Sequence, residues 1–174
     1  MTMDHWCTPP AVADPLEAFF RGPVACDPCS NSRSIIKAVT TYTAGGLHLP
    51  WGRTTYRNEP YSRLEPWTDK SILEIDAGNV VELVGLEPVA TSTRWWRKTT
   101  GLEPVLVPHP TRKNRMREVF APRGTHMFTK RINFINERGV VMKGVRHDSV
   151  LTYYGPRRTA FKKAFRALES WTVG

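Results

Sequence analysis

Short apolar runs alternate with amphipathic stretches along most of the chain. The run "NVVELVGLEPV" (79–89) is apolar over most of its length, which predicts a strand buried on both faces. The stretch "RINFINERGVVM" (131–142) alternates apolar with polar side chains, as half-buried strands do. By contrast, "TAFKKAFRALESW" (159–171) has large apolar residues at helical spacing, which predicts an amphipathic helix. The apolar face of that helix consists of Phe161, Phe165, Leu168 and Trp171.

Prolines and glycines divide the rest of the chain into short elements. A helix predicted at 14–22 has Asp14 as its cap and ends at Gly22. Residues 31–42 fit either a helix or a strand. The other predicted strands are 24–26, 54–57 and 148–155, and the other predicted helices are 67–78 and 91–100. The segment 103–110 is a further apolar run.

This alternation of strands and helices predicts the α/β class, with a sheet of largely parallel strands. Ligands of such sheets bind in the turns that follow the carboxyl ends of the strands. Two turns lie in that position, "DPCSN" (27–31) and "NEPY" (58–61). We therefore expect the functional residues to be concentrated in these two turns.

Length and composition indicate one domain spanning residues 1–174, since 40% of the residues are hydrophobic. No apolar run reaches about 18 residues, so no membrane span is predicted. The first ten residues lack the basic head and apolar segment of a secretory signal. Three cysteines, an odd number, argue against a disulfide framework and indicate a reducing compartment. We therefore expect a cytoplasmic protein.

The chain is strongly basic, with a formal net charge of +9 and a pI near 9.8. The positive charge is concentrated in two segments of the C-terminal half, 109–131 and 153–171, where Met, Phe and His lie among the Lys and Arg. One such segment is often only a solvated surface, but two favour a surface that binds nucleic acid phosphates. The segment 109–131 is the main candidate for contact with DNA.

The turn "NEPY" offers the groups needed to hold an aromatic amine. Asn58 has a side-chain carbonyl oxygen that accepts hydrogen bonds, and Pro60 favours an extended peptide that presents the carbonyl of Glu59. Tyr61 has a ring on which a base can stack. Two acceptors aimed at the exocyclic amine of adenine would favour its attack on a methyl sulfonium. A simple turn is the alternative interpretation, because Asn and Pro are common turn residues.

The turn resembles the (Asp/Asn/Ser)-Pro-Pro-aromatic motif of amino-group methyltransferases, and other segments are similar to phage-type DNA adenine methyltransferases of the Dam family. These segments follow one order over roughly residues 6–155. They are "WCTPP", "FF…CDPCSN", "TAGGLHLPWG", "NEPYSR", "VVELVGLEPVATSTRWW", "KRINFIN" and "HDSVLTYYG".

The resemblance implies a Rossmann-like methyltransferase sheet whose last strand is antiparallel, with S-adenosylmethionine as cofactor, double-stranded DNA as partner and no metal. It also implies an enzyme of a phage or its bacterial host. The implied catalytic residues are Asn58, Glu59, Pro60 and Tyr61. The residues implied at the cofactor are Thr8, Pro9, Asp27, Pro28, Ser30 and Asn31. With the basic segment, the residues expected at the DNA or the flipped base are Arg63, Arg112, Lys113, Arg115, Lys130, Arg131 and Phe134.

Two positions depart from the family pattern. Glu59 replaces the first proline of the motif, and Ala44 with Gly45 stands where acidic residues are common. These departures support a second hypothesis, a catalytically impaired methyltransferase-like protein that binds DNA or another partner. We expect the side chain of Glu59 to point outward into solvent, so that Glu59→Pro keeps or raises activity.

Cysteine and tryptophan pairs offer further alternatives. Cys26 and Cys29 have the spacing of half a zinc site, which Cys7, His5 or His48 could extend, or of a redox dithiol. No second pair with metal-ligand spacing follows, so buried thiols are the favoured interpretation.

The adjacent Trp95 and Trp96 are expected to place one ring in the core. The other ring would cover the sheet edge or contact DNA.

Overall fold

The computed structural model describes residues 4, 6–136, 138–143 and 147–173, and within them the main sheet has seven strands. The strands are β1 (Val24–Asp27), β2 (Ala38–Thr41), β3 (Thr54–Arg57), β4 (Glu82–Pro88), β5 (Val105–Pro108), β6 (Met116–Val119), β7 (Thr125–Thr129), β8 (Ser149–Tyr154) and β9 (Glu169–Val173). The helices are α1 (Pro10–Phe20), α2 (Leu64–Asp76), α3 (Arg94–Thr99) and α4 (Arg158–Phe165). A 3-10 turn covers Tyr61–Arg63, and β5 and β6 form a separate hairpin.

The main sheet is parallel in one half and antiparallel in the other, with the order β2-β1-β3-β4-β8-β7-β9. Strands β2, β1, β3 and β4 pair in parallel, whereas β8 is antiparallel to both β4 and β7, and β9 is antiparallel to β7. The α/β class is therefore confirmed, but the largely parallel sheet is corrected to a mixed one. The antiparallel strand expected from the resemblance is β8, and it is followed by β9, so it is not the last strand.

Helices and the hairpin cover both faces of the sheet. On one face, α1 and α4 bury Phe19, Phe161 and Phe165 against strand residues such as Leu151. On the other face, α2 and the β5–β6 hairpin pack against the sheet, and α3 packs there through its tryptophans. All seven residues of β4 are buried between these layers, as its apolar sequence predicts. No helix within the described residues is both long and apolar enough to cross a membrane.

Three predicted elements differ in the structure. The described residues of the segment 131–142 form no regular strand, and Ile135 makes isolated bridges to Cys7 and Val141. Helix α4 ends at Phe165, and the chain then turns into β9, so the predicted helical face over 159–171 is wrong beyond that residue. Helix α1 begins at Pro10 rather than at Asp14. The ambiguous segment 31–42 contributes strand β2.

Both adjacent tryptophans are buried, which corrects the expectation that only one is. Trp95 and Trp96 are 7% and 6% exposed, and their rings meet edge to face at 5.6 Å. Trp96 also packs against Phe128 of the sheet at 6.0 Å. The short helix α3 packs against both α2 and the sheet, so both tryptophan side chains are covered.

Candidate functional site

A cavity of about 610 Å³ lies at the carboxyl ends of β1 and β3. Three connections meet there, the turn after β1, the loop after β2 and the turn after β3, because neighbouring parallel strands end at the same edge of the sheet. The cavity thus contains both turns that the sequence marks as functional. Its lining residues are Asp4, Trp6, Pro28, Cys29, Ser30, Asn31, Ser32, Tyr42, Thr43, Ala44, Gly45, Gly46, Asn58, Pro60, Ser62, Arg63 and Trp67.

The loop after β2 packs so tightly against the turn after β1 that it needs glycine. A Cβ at Gly46 would lie 1.8 Å from the carbonyl oxygen of Pro28, which no side chain can accommodate. The indole N–H of Trp51 donates to the carbonyl of Gly46 at 2.8 Å and holds the loop in place. Gly45 has a φ of +73°, a conformation that favours glycine. Gly45 and Gly46 therefore shape the cavity wall through the backbone, and Ala44 lines the cavity beside them.

Asp27 ends β1 with its carboxyl group 3% exposed. The backbone N–H of Cys29 donates to one carboxyl oxygen at 3.3 Å, and the hydroxyl of Ser34 donates to the other at 3.4 Å. Burial raises the pKa of Asp27 to about 6, against the lowering effect of hydrogen bonds from Ser30, Cys29 and Ser34. This buried acid lies directly behind the turn 28–31.

We expect the titration of Asp27 to be visible in the pH dependence of stability. The folded protein keeps the proton up to about pH 6, whereas the unfolded chain loses it near its ordinary value of 3.8. The stabilising contribution of the protonated Asp27 to the folded state is therefore fully present below about pH 4 and is lost as the pH rises through about 6. A shift of about two pKa units corresponds to about 3 kcal/mol. Across this window the free energy of unfolding of the parent should fall by up to that amount relative to Asp27→Asn.

Urea unfolding of both proteins at intervals from pH 4 to pH 7 measures the difference. Parallel pH curves for the parent and Asp27→Asn would show that the Asp27 carboxyl titrates normally.

The side chain of Asn58 is held so that its oxygen remains available. Its amide nitrogen donates to the backbone carbonyl of Trp6 at 3.2 Å and to the hydroxyl oxygen of Thr8 at 3.3 Å. Thr8 is itself hydrogen-bonded to the hydroxyl of Tyr56 at 2.7 Å. Among the described residues, no hydrogen bond is made to the side-chain oxygen of Asn58. This residue therefore presents an oriented, unoccupied acceptor at the wall of the cavity.

The side chain of Glu59 points into the protein, which corrects the expectation that it is solvated. Glu59 is 2% exposed, and one carboxylate oxygen accepts from the guanidinium of Arg57. The same guanidinium donates through its other terminal nitrogen to Glu87 on β4. Burial raises the pKa of Glu59, and the neighbouring Glu87 raises it further, while Arg57 acts in the opposite direction. Glu59, which replaces the first proline of the motif, therefore forms an ion pair with Arg57, the residue just before the turn.

Tyr61 is half-buried, and its ring meets that of Phe134 edge to face at 6.2 Å. Its hydroxyl group is buried and has no hydrogen-bond partner among the described residues. Burial raises the pKa of Tyr61, and the nearby carboxylates of Glu59 and Glu87 raise it further. Pro60, in contrast, lines the cavity directly.

A sequence model of the DNA N-6-adenine-methyltransferase (Dam) family matches residues 1–147, which is most of the chain and includes both turns at the cavity. The chain belongs to the Dam family. Membership places it among the DNA adenine methyltransferases. A comparison with curated proteins gives no significant match.

The residues expected at the cofactor of this Dam family member fall into two groups. Pro28, Ser30 and Asn31 line the main cavity. Thr8 and Asp27 are buried beside a small adjoining cavity, while Pro9 is buried at the start of α1, where its carbonyl accepts from Val12 at 2.9 Å. Thr8, Pro9 and Asp27 therefore lie beneath the cavity wall and do not line the main cavity.

The residues expected at DNA are spread over the molecule. Arg63 lines the main cavity, and Lys130 and Arg131 line a second cavity of about 400 Å³ near the ends of β4 and β7. Phe134 is 1% exposed and packs against Trp6 and Tyr61, so in this structure it belongs to the core and we leave it out of the proposed DNA surface.

The tip of the β5–β6 hairpin, which contains the exposed Arg112, Lys113 and Arg115, lies away from the main cavity. Next to this tip, Arg117 pairs at 2.7 Å with Asp76, the last residue of α2. The cavity lies at the first turn of the same helix, about 20 Å away along its 13 residues.

The cysteine alternatives receive no support from the geometry. Within the described residues, Cys7, Cys26 and Cys29 form no disulfide. Burial raises the pKa of Cys26 and Cys29, which opposes thiolate chemistry. Cys29 instead accepts a hydrogen bond from the backbone of Asn58 at 3.3 Å. His5 lies outside the described residues, and the described residues contain no group of three side chains that could hold a metal ion.

Sequence reasoning missed Arg57 and Glu87 as parts of the site. The available signal was the presence of an arginine and a glutamate within strands that otherwise read as buried. A fully buried charge requires a partner, and these two are partners of each other.

Proposed function

We propose that the protein transfers a methyl group from S-adenosylmethionine to the exocyclic amine of an adenine that is flipped out of duplex DNA. The supporting observation is the side-chain oxygen of Asn58, which is oriented by Trp6 and Thr8 and lies in a cavity shared with the turn after β1. A base within a duplex cannot reach such a cavity, so an enzyme of this kind must extrude it.

The cavity fits the cofactor that the family implies. Its volume of about 610 Å³ lies within the range of small-molecule sites. The backbone of 28–31 and the close approach at Gly46 form a narrow wall, and the polar groups of Ser30 and Asn31 lie along it. When bound, S-adenosylmethionine supplies an electrophilic methyl group on a sulfonium.

The chain's own groups would act on the amine by accepting hydrogen bonds. Asn58 would offer its side-chain oxygen, and Glu59 would offer its backbone carbonyl. Both acceptors would favour the developing tetrahedral amine over the planar one, because they are fixed before the reaction begins. The half-buried ring of Tyr61 would flank the base, while its hydroxyl stays in the protein.

Labelled S-adenosylmethionine and unmodified duplex DNA provide the direct test. We expect label to appear in adenine at its N6 position, and to appear about a hundred- to a thousandfold more slowly with the Asn58→Ala protein. Binding of DNA and cofactor without any transfer would favour the impaired, methyltransferase-like binding protein instead.

The DNA surface is proposed to follow the edge of the sheet that carries the cavities. Arg63 lies at the main cavity, and Lys130 and Arg131 lie at the second one. In the second cavity Trp171 stacks on Phe128 with ring centroids 3.8 Å apart, yet it remains 54% exposed. An exposed aromatic ring beside two cations is suited to a base and its phosphates.

Two matched triple substitutions compare the two basic regions. We expect neutralising Arg63, Lys130 and Arg131 to flatten the dependence of log affinity on log salt by about two to three units, since each lost phosphate contact removes about 0.9. Neutralising Arg112, Lys113 and Arg115 should have a smaller effect, because the hairpin tip lies at the far end of α2. Titration of labelled duplex at several salt concentrations measures both slopes. A larger change for the hairpin triple would place the DNA on the hairpin side.

A further inference from the structure

A row of polar side chains crosses the sheet beneath the "NEPY" turn. Arg57 of β3 is paired with Gly85 of β4, which is paired with Thr152 of β8, which is paired with His126 of β7. The hydroxyl of Thr152 donates to Glu87 at 2.8 Å and lies 3.3 Å from the ring of His126. The polar row therefore runs from the turn into the centre of the sheet.

Gly85 leaves the space in which Arg57 reaches across β4. A Cβ at Gly85 would lie 3.4 Å from Nε of Arg57 and 3.4 Å from a carboxylate oxygen of Glu87. The guanidinium thus covers the position where a side chain would stand. Its two terminal nitrogens then bind Glu59 on one side and Glu87 on the other.

The cluster places two carboxyl groups against a single guanidinium. The side chains of all three residues are 0% exposed. The remaining oxygen of Glu59 and Nε of Arg57 have no hydrogen-bond partner among the described residues. Such clusters contribute little net stability compared with an apolar core, so stability alone does not explain why the turn includes this one.

We propose that Arg57 and Glu87 are positioning residues for the motif: together with the Glu59 side chain they form a buried clamp that fixes the backbone of residues 58–60. This inference rests on the proposed function. A proline at position 59 would fix φ through its ring. Here the side chain of Glu59 forms an ion pair with Arg57, and Arg57 forms a second ion pair with Glu87 of β4. The sheet therefore restricts the backbone at position 59 through these buried side chains.

The clamp acts on the two acceptors of the site. One acceptor is the backbone carbonyl of Glu59, the residue whose side chain is held by Arg57. The other is Asn58, which lies in the chain between Arg57 and Glu59. Movement of this peptide by even about 1 Å would misplace both acceptors, and displacements of that size can cost about a hundredfold in rate.

A matched pair of triple variants isolates the clamp. Arg57→Met and Glu87→Met remove the charges from both, and position 59 becomes Pro in one variant and Ala in the other. We expect the proline variant to methylate about ten to a hundredfold faster than the alanine variant in single turnovers at saturating cofactor, with the same cofactor affinity in both. Urea unfolding of both variants checks that they fold equally well.

Equal rates for the two triple variants would overturn the proposal. If both are fast, the backbone needs no clamp, and if both are slow, the charged groups serve another purpose. Should either triple variant fail to fold, Arg57→Lys provides the second test, because lysine has a single nitrogen in place of the two terminal nitrogens that bind Glu59 and Glu87 separately. We expect it to slow the reaction and Arg57→Lys/Glu59→Pro to recover it, and no recovery would contradict the clamp.

Hydrogen exchange separates failure of the clamp from failure of the proposed function. If the parent protein transfers no methyl group, the proposed function is wrong, but the amides of Asn58, Tyr61, Ser62 and Arg63, which all variants retain, still report on the backbone. The clamp predicts slow exchange in the parent and in the proline triple variant, and exchange about tenfold or more faster in the alanine triple variant. Equal exchange in the two variants would show that the clamp does not hold the turn.

Discussion

Asn58→Ala is expected to lower the single-turnover rate of DNA methylation by about a hundred- to a thousandfold. The substitution removes the side-chain oxygen of Asn58 that the proposed function assigns to the amine, and the loss of one preorganised hydrogen bond in a transition state has an effect of this size. Cofactor and DNA affinities should change by only a few fold, because neither ligand depends mainly on this oxygen.

Asn58→Asp is the matched control for Asn58→Ala. Aspartate keeps an acceptor oxygen but cannot donate to the carbonyl of Trp6, which now receives a hydrogen bond from the amide of Asn58. We expect a rate between those of the parent and Asn58→Ala. Rapid quench with labelled cofactor measures all three rates. A parental rate for Asn58→Ala would mean that "NEPY" is only a turn.

Glu59→Pro in the otherwise unchanged protein is expected to lower the free energy of unfolding by about 3–5 kcal/mol. Removal of Glu59 leaves one terminal nitrogen of the buried Arg57 without its acceptor, and breaking a buried ion pair on one side has a cost in this range. The expectation from sequence, that Glu59→Pro keeps or raises activity, rests on a solvated Glu59 and therefore includes no such loss of stability.

Glu59→Gln is the comparison for this stability measurement. Glutamine keeps the shape of the side chain and an oxygen that can accept from Arg57, so most of the stability should remain. Urea unfolding monitored by the tryptophan signal gives the three free energies. Equal stabilities for the parent and Glu59→Pro would show that the carboxylate is not a necessary partner of Arg57.

The sequence alone determined the two turns at the cavity, the α/β class and the family. These features are local, because a strand followed by a turn is encoded within a few residues and the edge of a parallel sheet brings such turns together. Asn58, Pro60, Pro28, Ser30 and Asn31 all line the cavity for this reason.

The tertiary structure decided which way Glu59 points. The sequence around position 59 gives no sign that this residue is buried. Its carboxylate is paired with Arg57, and Arg57 is held in place by Glu87, which is distant in the chain. The positions of Phe134 and of the hairpin tip likewise depend on contacts between distant segments, with Trp6 for the first and Asp76 for the second. The pattern of apolar and polar residues along the chain indicates which segments are buried. The partner of a buried charge depends instead on which strands become neighbours in the sheet.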